Sequence, residues 1–138
     1  MTWRKTLRRS FIAFLGVIFA LNAAVAHAEI YEGVGEYFMT YETVDFAKEQ
    51  AELAAQSDIL EQICVYVKEQ STMIDNELDN EEIITVSTGI IHVIDTKFSI
   101  EPEDALIKVK AFVTAQIDIA ELKKLLEQEI KNKEIKQE

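Results

Sequence analysis

Hydrophobic and polar positions recur with two different periods along this chain, and the switches between them mark its elements. The cleanest pattern lies between Leu106 and Ile117. Ile107, Val109, Ala111, Val113, Ala115 and Ile117 fall on one face, and Lys108, Lys110, Thr114 and Gln116 on the other, interrupted by Phe112. A period of two predicts a strand with one dry and one wet side, and hence an antiparallel or mixed sheet covered on one face. Ile90 to Ile100 reads as its hairpin partner across Glu101-Pro102-Glu103-Asp104. Ile30 to Tyr41 reads as a first strand, with Tyr31, Tyr37, Phe38 and Tyr41 along it. Gly33 and Gly35 inside that strand point to a bulge or to close approach of another backbone.

A helical period takes over after Thr43, which can cap a helix carrying Asp45 in its first turn. Ala47, Ala51, Ala55 and Ile59 recur at steps of four, with Phe46, Leu53, Leu60 and Ile63 beside them. That stripe predicts a helix to about Cys64, and its alanines let it lie close on a sheet. Val65-Tyr66-Val67 then favours a strand reaching about Ile74, because β-branched and aromatic residues suit a pleated surface. Asp75 to Asn80 reads as a turn and cap. Glu81 to Thr88 reads as a short helix with Gly89 placed to end it. Asp118 opens the last helix, with Glu121 at capping-box spacing and Leu122, Leu125, Leu126 and Ile130 as its stripe.

The predicted order is β-α-β-α-β-β-α. The simplest packing is an α+β domain of two layers, with helices against one face of an antiparallel or mixed sheet. It occupies residues 29–130 as a single domain, followed by a polar tail over 131–138.

The first 28 residues alter this picture by placing the domain outside the cytoplasm. Arg4, Lys5, Arg8 and Arg9 precede an apolar run from Phe11 to Val25, and Ala26-His27-Ala28 offers small residues at both positions a signal peptidase reads. These features predict a secretory signal peptide cleaved after Ala28, and a periplasmic or secreted product. The 15-residue run is shorter than the ~20 residues of a membrane-spanning helix, so no stable membrane insertion is expected after cleavage. Arg8-Arg9-Ser10-Phe11-Ile12 resembles a twin-arginine export signal, although no cofactor site accompanies it.

Charge then narrows the partners. The leader holds four positive charges and no acid, so the −11 of the whole chain becomes −15 for the remainder, which has lysines but no arginine. Such a surface repels phosphate backbones, and no nucleic-acid partner is expected.

Candidate chemistry is sparse. After the leader His92 is the only histidine, among Ile90, Ile91, Val93 and Ile94, and no second ligand stands at metal spacing. Asp75, Glu77 and Asp79 match the start of a calcium loop, but Asn80 and Val86 occupy positions that need Gly and Glu. The single cysteine, Cys64, has apolar neighbours and reads as a buried thiol. Gly33-x-Gly35 lacks the third glycine of a dinucleotide site, since Phe38 stands there. The serines lack a nucleophile elbow. The sequence thus nominates no catalytic residue, cofactor or metal. Its candidate interaction surface is Tyr37, Phe38, Lys108, Lys110 and Phe112. An envelope protein or a second copy is the expected partner. A small periplasmic binding protein for an apolar or cationic ligand is the alternative, with a hydrolase using acids alone behind it.

Several segments in series carry a family likeness. They are Ala47-Lys48-Glu49-Gln50-Ala51, Leu60-Glu61-Gln62, Val65-Tyr66-Val67, Glu81 to Ile91 and Val109 to Asp118. Together they resemble small exported bacterial envelope domains, similar to the N-terminal domain of the flagellar assembly protein T and its related surface lipoproteins. The resemblance implies an α+β envelope domain tied to assembly, with no family catalytic residue to carry over.

Overall fold

A computed structural model describes residues 28–137 of the chain. The leader reading therefore lies outside the described residues, apart from Ala28 at its end. Seven elements follow one another: β1 (Ala28–Met39), α1 (Val44–Gln70), α2 (Thr72–Glu77), α3 (Asn80–Thr88), β2 (His92–Glu103), β3 (Leu106–Asp118) and α4 (Ile119–Lys136). The three strands form one antiparallel sheet in the order β1-β3-β2. The α+β architecture is as the periodicity predicts, with an antiparallel sheet and helices on one face.

β3 is central because β1 pairs with it on one side and β2 on the other. Val109, Ala111, Val113, Ala115 and Ile117 are all buried beneath the helices. On the opposite, open face, Lys110 stands between Glu36 of β1 and Ser99 of β2, and Phe112 between Val34 and Lys97. A bulge between Val93 and Asp95 shifts the β2 register. Asp104 turns the hairpin at φ 55°, a left-handed conformation that aspartate tolerates better than most residues.

The third predicted element is a correction. Val65 to Ile74 is not a strand. α1 continues without a break to Gln70, and α2 begins two residues later. Local β-propensity loses here to burial. Ile63, Val67 and Ile74 are all fully buried, and Ile63 and Val67 extend the apolar stripe of the preceding alanines at the same helical step. Ser71 caps both sides of the joint: its N–H donates to the Val67 carbonyl, and its hydroxyl accepts from the Ile74 amide. The C-terminal residues also differ from expectation. α4 passes through Lys131 to Lys136 with Ile130 buried, so the stretch read as a polar tail is mostly helix.

Two connections are shorter than expected: Glu101 to Glu103, read as hairpin turn, are the paired end of β2, and Asp75 to Glu77, read as a turn, belong to α2. The helix starts are capped by side chains. Thr43 caps α1 by accepting from the Phe46 amide. Asp79 and Glu82 form a reciprocal capping box at the start of α3. Asp118 accepts from the Glu121 amide at the start of α4.

α1 runs antiparallel to β1 along its whole length. Tyr37 packs edge-on against Phe46, with ring centroids 5.9 Å apart. A Cβ at Gly35 would strike the Ala51 carbonyl and Ala55 amide, and one at Gly33 would strike the Ala55 carbonyl and the Ile59 side chain. The strand glycines are therefore a close approach, and the alanine row is its other half. The remaining core is assembled from Ile59, Ile63, Val67, Ile74, Ile83, Leu122 and Leu126, each fully buried. Burial of such side chains contributes roughly 1.5–3 kcal/mol apiece.

Candidate functional site

The candidate surface read from the sequence divides in two. Phe38, Lys108, Lys110 and Phe112 share the open face of the sheet, together with Ile30, Val34 and Glu36. Tyr37 lies on the opposite side, against Phe46, and its hydroxyl donates to Glu42 at 2.9 Å. The reason is parity: successive strand residues alternate between faces, so Tyr37 and Phe38 cannot share one. Tyr37, Phe38 and Phe112 therefore do not line a common cavity.

The open face has its charges arranged in pairs. Lys108 meets Glu103 at 2.6 Å, and that carboxylate raises the lysine's pKa. Lys110 meets Glu36 at 3.4 Å and also stands 5.8 Å from the centre of the Phe112 ring. The rings and lysines of this face thus serve each other.

The two sheet edges are finished differently. Along β1, α1 supplies side chains to the strand's outer backbone groups. The Val34 amide donates to Asp58 Oδ2 at 3.1 Å, and Gln62 Nε2 donates to the Glu32 carbonyl at 2.9 Å. Below this edge, Glu42 holds the β1–α1 connection. Its carboxylate accepts from the Thr40 and Tyr41 amides and from the hydroxyls of Thr40 and Tyr37. The Thr40 amide is the largest cause, and the Tyr37 hydroxyl contributes too, in lowering the Glu42 pKa to about 2.

Along β2 no such cover exists among the described residues. β2 pairs with β3 alone. The side-chain hydrogen bond on it runs between its own residues, from Ser99 Oγ to Glu101 Oε1 at 3.1 Å. Val93, Phe98 and Ile100 project to the helix side, opposite Ala115, Ala111 and Val109, where a core strand would be buried. Yet α1 lies over β1 and β3 and stops short of β2. Phe98 is 38% exposed and Ile100 49% exposed. The Lys48 ammonium reaches over, 5.3 Å from the centre of the Phe98 ring. With Ile107 of β3, also exposed, these side chains make an apolar ledge beside the open edge of β2.

Sequence reasoning missed Val93, Phe98 and Ile100 as surface residues. The spacing of Phe98 and Ile100 puts those two on one face, the bulge at Val93/Asp95 brings Val93 to the same face, and no local signal says which hairpin arm becomes the outer one. That depends on β1 pairing with β3, a long-range choice.

The remaining polar groups support little chemistry. Cys64 is buried, its Sγ lies 3.4 Å from Asn80 Oδ1, and burial pushes its thiol pKa up. It borders a surface depression of about 530 Å³ with Glu61, Val65, Lys68, Asn80 and Ile84. His92 is exposed at the start of β2. The acids once aligned with a calcium loop are divided between α2 and the α3 cap, and Asp79 is committed to the Glu82 amide. Among the described residues, no three His, Cys, Asp or Glu side chains gather as a metal site. Among them also, no helix is long and apolar enough to cross a membrane.

No protein-family model matches the chain, and no curated protein matches it in sequence.

Proposed function

We propose that this chain is a non-enzymatic, exported envelope domain that binds a protein partner by strand addition at β2. The observation that carries the reading is the contrast between the edges: α1 closes β1, whereas β2 keeps an unpaired backbone beside the exposed Val93, Phe98 and Ile100. An added strand takes its affinity from main-chain hydrogen bonds and its selectivity from alternate side chains. Here those side chains would settle on the Phe98–Ile100 ledge on one face and beside Lys97, Ser99 and Glu101 on the other. The export signal read in the first 28 residues supports an envelope partner, as does the resemblance to envelope assembly domains. The open face, with its lysines already paired to carboxylates, is the less demanding surface and serves as a solvated wall.

A photo-crosslinking amino acid placed at position 98 or 100 in cells tests this directly. The expected result is a discrete adduct in the envelope fraction from either β2 position and none from position 62 beside the β1 edge. Absence of any adduct at 98 and 100, with the protein exported and folded, overturns the reading.

A further inference from the structure

Resting on that reading, we propose that the strand taken up at β2 is the β2 of a second copy of this chain, paired antiparallel about Ser99. Two features of β2 discourage pairing at its ends. The bulge between Val93 and Asp95 breaks the ladder at one end, and Pro102 has no N–H to offer at the other. Between them Thr96 to Glu101 is an unprotected window. That window carries one lysine and one glutamate, so it is neutral even though the whole chain is strongly acidic. The net charge therefore does not call for a basic strand at this place.

The window is complementary to itself in one register. With Ser99 facing Ser99 of the second copy, Lys97 faces the second copy's Glu101, and Glu101 faces its Lys97. On the other side of the sheet Phe98 faces Ile100, again twice. Neighbouring registers that keep the faces matched are worse. Centring on Lys97 sets that lysine against itself. Centring on Phe98 sets Asp95 against Glu101. Centring on Ile100 leaves Phe98 against Pro102. Opposite charges across a strand pair stabilise it and like charges destabilise it.

The symmetry also disposes of the ledge. A two-fold axis perpendicular to the sheet keeps both helix layers on the same side of a six-stranded sheet. The exposed Phe98 and Ile100 of both copies then meet in the trough between the two α1 helices, where neither copy alone has a helix to cover them. Such an interface is isologous and closes on itself, so it yields a dimer and not a fibre.

The test is sedimentation of the purified full chain from micromolar to millimolar concentration. The unmodified protein is expected to dimerise. Lys97→Glu and Glu101→Lys should each weaken the dimer by roughly tenfold, because each turns two attractive cross-strand pairs into repulsive ones. The double variant Lys97→Glu/Glu101→Lys should restore it, which no folding defect would do. Ser99→Cys should cross-link to a covalent dimer under mild oxidation, while Thr96→Cys should not. A monomer throughout the range, or a dimer indifferent to both charge reversals, overturns the self-pairing. If the crosslinker at positions 98 and 100 then captures a different protein, strand addition at β2 stands and only the second copy is excluded. If it captures nothing, both fall together.

Discussion

β1 and β2 are both twelve residues long, and each pairs with β3 on one side only. Their free sides nonetheless meet different surroundings. Gly33 and Gly35 let α1 sink onto β1 until Asp58 and Gln62 reach its backbone. On β2 the positions across β3 from these glycines carry Thr96 and Phe98, with Ile100 next along the same face, and no helix descends to them. An edge strand is protected here by what packs beside it as much as by its own residues. Glycine and alanine, which contribute little burial themselves, close an edge because they admit a helix to hydrogen-bonding range. Large apolar side chains leave an edge open when nothing lies above them.

The largest test of this contrast removes the close approach. Gly35→Val places branched carbons where the Ala51 carbonyl now lies, and α1 must lift away. The expected cost is about 3 kcal/mol in urea unfolding, in line with overpacking of tight sites. A cost under half that would mean the helix can shift and the edge is not closed by contact. Next comes the side-chain clasp itself. Asp58→Ala strips the Val34 amide of its acceptor and should cost about 1 kcal/mol. Amide exchange at Val34 should rise while exchange on β3 stays unchanged.

Most of the fold was legible in the sequence, because each legible element has a period that also matches its burial. β3 and the first half of α1 show this, and the Asp118 and Thr43 caps act where their spacing put them. Val65 to Ile74 misleads because Val65, Tyr66 and Val67 have strand propensity, whereas Val67 on α1 and Ile74 on α2 are buried in a core to which α3 and α4 also contribute, outside any local window. The site was legible only in part. Lys108, Lys110, Phe38 and Phe112 could be grouped by strand parity, and parity also separates Tyr37 from them. The β2 ledge could not be seen, since exposure of Phe98 depends on where α1 ends its coverage.

A smaller effect concerns the connection that delivers α1 to β1. Folding holds the Glu42 pKa at about 2, below its ordinary 4.5, so its ionised form supports the folded loop. That support is complete above pH 4.5 and is lost as pH falls toward 2. The Thr40 amide resonance should follow this titration, and Glu42→Gln should remove the pH dependence while leaving the β2 resonances in place. Smallest of all, Ile100→Lys should change the stability of the isolated domain by no more than about 0.5 kcal/mol, because that side chain is half exposed. A loss of several times that size would show the ledge to be core, and the asymmetry between the two edges would disappear.

The antiparallel run of α1 along β1 also works as a ruler. A 27-residue helix and a 12-residue strand each extend about 40 Å, at ~1.5 Å and ~3.3 Å per residue. The two pieces match end to end, and Phe46, Ala51, Asp58 and Gln62 mark successive graduations against Tyr37, Gly35, Val34 and Glu32. Deleting one residue from the middle of α1 would turn everything beyond it by about 100° and slide it by ~1.5 Å, out of step with these marks. Insertions should therefore be tolerated better in the connections at Gly89 to Ile91 and Asp104 to Ala105 than within this helix.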